Sequence, residues 1–214
     1  MSSWLQRFYG SLSRPLVPWT RLVLVLAVIP LALAAPAKLW QLHFEAPQYP
    51  KGLNLYVYTY TIEGGNGGID LPEINTLNHY VGMKKLDPAD FADLDFIPFA
   101  IGALILLALR VAVIGDVRSL IDLAVLTVYF GAFSLGRFVY MLYTYGHDLD
   151  PRAPITLPSF MPPILGTQQM GNFTVSSYPA EGTWLLSVFA IVVTALAIWH
   201  VIRSRDAEQD MIAA

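Results

Sequence analysis

The chain contains no cysteine. That absence removes disulfides, thiolate zinc sites, iron–sulfur clusters and haem attached through a Cys-x-x-Cys-His motif, so any metal would need histidine, methionine, carboxylate or backbone ligands. It says nothing decisive about compartment, since a membrane-anchored domain need not carry disulfides. Charge is also scarce: 14% of the 214 residues are charged and 55% are hydrophobic, against about 25% charged in soluble globular domains. Mean hydropathy is +0.51. The deficit points to a bilayer before any segment is inspected. A net charge of −3 excludes a strongly basic nucleic-acid binder, so no nucleic-acid partner is expected. Gly-rich phosphate loops, a Ser/His/Asp set with a nucleophile elbow and His-Glu-x-x-His are all missing. Glu63-Gly-Gly-Asn-Gly-Gly68 is turn chemistry. With no catalytic constellation, the chain reads as a non-enzyme. It has no internal repeat and no low-complexity segment.

What the chain does have is long apolar runs separated by two polar insertions. Residues 1–14 read as an amphipathic interfacial helix, with Trp4, Leu5, Phe8, Tyr9 and Leu12 on one face. Apolar runs follow at 16–37, 96–114, 120–140 and 184–202, and a charged tail covers 203–214. The first run also has signal-peptide texture, with small-residue sites at Ala32-Leu33-Ala34 and Ala35-Pro36-Ala37. Its length favours an uncleaved anchor. Basic residues cluster at the same ends: Arg7, Arg14 and Arg21, then Arg110 and Arg118, then Arg203 and Arg205. Both termini are therefore expected in the cytoplasm of a bacterial inner membrane, with the insertions 39–95 and 145–182 facing the periplasm.

Within the first insertion, Gly52–Ile62 alternates with period two and predicts a strand, with Leu53, Leu55 and Val57 on one side and Tyr56, Tyr58 and Tyr60 on the other. Asp70–Met83 predicts a helix, with Asp70 placed to cap, Pro72 in the first turn and Glu73 near the positive dipole end. Ile74, Leu77 and Val81 form its apolar stripe; Asn75, His79 and Met83 form a second one. Asp87 and Pro88 start a further short acidic helix.

His79 and Met83 offer an imidazole and a thioether, ligands that suit copper, the cuprous ion above all. Met170 is the favoured third ligand, with Met161, His43 and His147 as others. The competing reading makes His79 an ordinary hydrogen-bonded histidine and Met83 a core residue. Phe160–Phe173, with Pro162-Pro163, Gly166 and Gly171, reads as a stiff non-regular loop: either a cover over His79 or a structural lid or partner-docking loop. Asn172-Phe-Thr174 is a sequon of little weight in a bacterial chain. Arg137 falls about 28 Å along a helix from Arg118, near the outer boundary, where it would snorkel or pair with Glu73 or Asp95. Asp122 and His200 lie close enough to span ends to need no proton pathway, and no second span histidine matches His200 for haem ligation.

At Glu73-Ile-Asn-Thr-Leu-Asn-His-Tyr-Val-Gly-Met-Lys84 and Pro163-Ile-Leu-Gly-Thr…Asn172-Phe-Thr…Gly182, the chain resembles bacterial four-helix membrane proteins associated with copper-enzyme maturation, such as nitrous oxide reductase assembly. The resemblance covers most of the chain beyond the first run, and its motifs carry no assigned chemistry. It implies periplasmic copper handling with His79 and Met83 as the natural residues. The lack of cysteine and of dense Met/His runs departs from a dedicated copper carrier.

The expected fold is therefore mainly α: a polytopic membrane protein with four transmembrane helices and a small α+β periplasmic cap. The expected role is an accessory protein handling copper or assisting assembly of a redox enzyme, with the bilayer and the other proteins of that complex as partners. The alternative is a structural accessory subunit of a respiratory or photosynthetic membrane complex.

Overall fold

The computed structural model describes residues 12–170 and 172–213, with side chains described up to residue 203. The expected interfacial helix 1–14 lies almost wholly outside the described residues. The elements are α1 (Pro18–Ala34), β1 (Lys38–Ala46), β2 (Tyr49–Tyr58), β3 (Ile62–Gly64), α2 (Asp70–Tyr80), α3 (Phe96–Ile114), α4 (Val117–His147), β4 (Gly166–Met170), β5 (Phe173–Pro179) and α5 (Glu181–Ala213). Short 3₁₀ segments at Asn66–Gly68 and Pro88–Asp95 precede α2 and α3. Among the described residues, helix predominates over strand. Among the described residues, three helical stretches are long and apolar enough to cross a membrane: Pro88–Ile114, Val117–His147 and Glu181–Arg203. Of the four expected spans, the first is the shorter apolar helix α1, of 17 residues.

The chain divides into two compact units, with boundaries that fall inside α3, α4 and α5. One comprises α1, 100–131 and the chain from 185 onward. Its inner stripe is close-packed: Leu24, Leu31, Ala108, Leu120 and Val193 are fully buried. Thr20 and His200 are buried there too, joined by a 3.0 Å Oγ1–Nε2 hydrogen bond. The α3–α4 connection turns at Gly115 (φ +70°), where the Arg21 guanidinium occupies the space a Cβ would need. Asp116 caps α4 by accepting from Ser119 N at 2.6 Å.

The other unit, 34–99 and 132–184, is built on a five-stranded antiparallel sheet of order β3-β2-β1-β5-β4. The period-two pattern works as an antiparallel sheet demands. Leu42, Phe44, Leu53, Leu55, Phe173 and Val175 are buried on one face, with Ile74 and Leu77 of α2 and Val81 just after it in the same cluster. Trp40 ties β1 to β5 by donating to Ser177 Oγ at 2.7 Å, and its ring meets Phe138 of α4 at 4.9 Å.

Several expectations change here. The single strand 52–62 is two strands, because residues 59–61 turn and return β3 onto Leu55–Val57. Phe160–Phe173 is not irregular throughout: Gly166–Met170 pairs with β5, since the antiparallel partner satisfies its backbone. Within this segment Phe173 is buried and Phe160 packs against the hydrophobic cluster, while Ile164 and Leu165 are exposed. Asp70 does not cap α2. Its buried carboxylate accepts from Asn54 N at 2.8 Å and from Asn66 Nδ2 at 2.7 Å, so strand and turn amides take the oxygens a cap would use.

Candidate functional site

The helix expected over Asp70–Met83 ends at Tyr80. Gly82, at φ +78°, closes it in a Schellman motif: Met83 N donates to Asn78 O at 2.9 Å and Gly82 N to His79 O at 3.3 Å. Asn75, His79 and Met83 are thus not one continuous helical stripe. Asn75 instead locks the following loop, donating to Leu86 O at 3.0 Å and accepting from Leu86 N at 2.7 Å. Met83 and His79 nonetheless line one cleft.

A second segment, just after α4, is hydrogen-bonded to this turn. Asp150 N donates to Gly82 O at 2.8 Å and Ile155 N to Tyr80 O at 2.9 Å. The approach requires glycine at 82, where a Cβ would stand 2.8 Å from Asp150 O and 3.0 Å from the Ala153 Cβ. Between the segments lies a cleft of about 470 Å³, lined on one side by His79, Met83 and Lys84 and on the other by Asp148, Asp150 and Arg152. His79 is exposed, and Met83 is half-buried against the hydrophobic cluster.

The electrostatics of the cleft are mostly internal pairs. Lys84 Nζ is 2.8 Å from an Asp90 oxygen, and Arg152 Nε is 3.3 Å from Asp150 Oδ1. The backbone N–H of Arg152 and then its guanidinium hold the Asp150 carboxyl below its usual range, with a further contribution from His79. Among the described residues, no three His, Asp or Glu side chains form a group able to hold a metal ion.

His79 and Met83 come together. Met170 does not join them: it sits at the end of β4, 6% exposed, within the hydrophobic cluster. His43 lies on the sheet, its Nδ1 2.8 Å from Asn54 Oδ1 and its Nε2 3.4 Å from Glu45. His147 stacks on Tyr143 with ring centroids 3.8 Å apart. Arg137 pairs with Asp93 at 2.6 Å, in place of the expected Glu73 or Asp95; Glu73 accepts from the Tyr49 phenol. The residues missed from the sequence are Asp148, Asp150 and Arg152, which no local spacing connects to His79. Gly82 was a usable signal, since a glycine after a helical run marks a C-terminal stop.

Fold and site define a membrane-helix protein that carries a five-stranded α+β unit with a mixed-charge cleft. No protein-family model matches the chain, and no curated protein matches it in sequence.

Proposed function

We propose that the chain is a non-catalytic accessory protein of the bacterial inner membrane, with four spans and both termini cytoplasmic, that handles copper at its periplasmic face for a redox enzyme. The observation that carries this reading is the shared cleft of His79 and Met83. An imidazole and a thioether lining one cleft favour soft and borderline ions over calcium or magnesium. At 17 residues, α1 extends about 26 Å, close to the roughly 30 Å of a bilayer core. The clustering of arginine at one set of helix ends supports the orientation. Metal analysis of the detergent-purified chain is the test. Stoichiometric copper that disappears in His79→Ala is the expected result, and a wild type that neither retains nor takes up copper overturns it.

The exposed flanks of the spans favour a second reading. No more than 28% of each span's most apolar stretch is buried within the chain, which leaves wide faces for neighbouring helices. A structural accessory subunit would use them to hold partners. Solubilisation in mild detergent separates the two, since a stable lone monomer counts against a subunit role.

A further inference from the structure

We infer that Asp148, and not Met170, is the third donor beside His79 and Met83, and that the site therefore takes the cupric ion in preference to the cuprous. This rests on the copper reading above and names the ligand set and oxidation state for the same cleft. Four charged side chains line it, and three have ion-pair partners: Lys84 with Asp90, and Asp150 with Arg152. Asp148 forms no ion pair among the described residues, and its side chain is exposed at the cleft. Its backbone is held by donation from Asp148 N to Thr144 O at 2.9 Å, which continues the last turn of α4. The carboxylate is thus presented from a fixed point, with its charge uncancelled.

Met170 has the opposite surroundings. It is buried in the cluster with Phe173 and Val175, and reaching a metal would mean leaving that core. With Met170 inside, the available donors are one imidazole, one thioether and one carboxylate. A carboxylate is a hard ligand, matched to Cu(II) and poorly matched to Cu(I). The paired cations Lys84 and Arg152 are balanced by their own acids, so Asp148 supplies the net negative charge that a divalent ion needs.

The test is titration of the full chain in detergent with Cu(II), followed by electron paramagnetic resonance, and with Ag(I) as the stand-in for Cu(I). Asp148→Asn is expected to weaken Cu(II) binding about tenfold or more, the scale on which even outer partners of a metal site act, and to alter the spectrum. It should leave Ag(I) binding nearly unchanged. Met170→Leu, a volume-conserving change, should move neither. Cu(II) binding that is insensitive to Asp148→Asn overturns the ligand set whatever Met170→Leu does, as does tighter binding of Ag(I) than of Cu(II). Binding of neither ion by wild type overturns the copper reading as well. Far-UV circular dichroism on each variant separates lost ligands from lost fold.

Discussion

The sheet-bearing unit and the helical unit draw on the same apolar residue types yet treat their outer surfaces differently. On β1, inward Leu42 and Phe44 alternate with outward Gln41, His43 and Glu45, a pattern that water enforces on the open face of an antiparallel sheet. On α3, Leu104 is 3% exposed while Leu106, two residues on, is 70% exposed. Apolar residues there face outward as readily as inward, as a helix surrounded by hydrocarbon requires. The lesson is that the placement of polar residues, more than the number of apolar ones, identifies the solvent each unit was built for.

Core truncation breaks this comparison most directly. Ile74→Ala, at a fully buried position, should cost about 2–5 kcal/mol, read by denaturant unfolding in detergent. Leu106→Ala should stay within about 0.5 kcal/mol, as for other exposed positions. Equal losses at the two sites would mean that Leu106 is not on a lipid-facing surface.

Buried polar groups come next. Asp70→Ala removes the charged acceptor of Asn54 N and Asn66 Nδ2, at about 1.5–3 kcal/mol for hydrogen bonds to a charged group, so the melting temperature should fall. In the helical unit Thr20→Val removes the single hydrogen bond to His200, and a loss of about 0.5–1.5 kcal/mol is expected. A larger effect from Thr20 than from Asp70 would reverse the ranking of the two units.

The smallest effect concerns Tyr49. Its hydrogen bond to Glu73, then burial, raises the phenol above its ordinary value of 10.0. A raised folded value means that the native state holds the proton more tightly. The contribution is complete below pH 10.0 and is lost as pH rises through the higher native value. Tyr49→Phe should therefore flatten the alkaline end of the stability profile. An unchanged alkaline limb would exclude the Glu73 contact.

Much of the fold was legible in the residues. The stripe Ile74, Leu77, Val81 is buried, and Asp87 caps its 3₁₀ segment by accepting from Ala89 N at 3.1 Å, because both depend on neighbours two to four positions away. Strands β1, β4 and β5 were not legible. Lys38–Ala46 begins directly after an apolar run, and the polar alternation of Gly166–Met170 resembles a loop until β5 pairs with it. The cleft was legible by half: His79 and Met83 stood out as metal-capable, whereas Asp148 and Arg152 come from a segment 65 or more residues away in the chain.

By itself, then, the sequence determined the class of protein: low charge and long apolar runs leave a membrane protein with polar insertions, since transfer free energy follows composition. Only the tertiary structure decided which side chains share a cleft. Pairing Gly82 with Asp150, moving Met170 into the core and giving Arg137 to Asp93 each depend on contacts between distant segments. Local periodicity carries no record of such contacts, because it reports which face of an element is buried and not what that face meets.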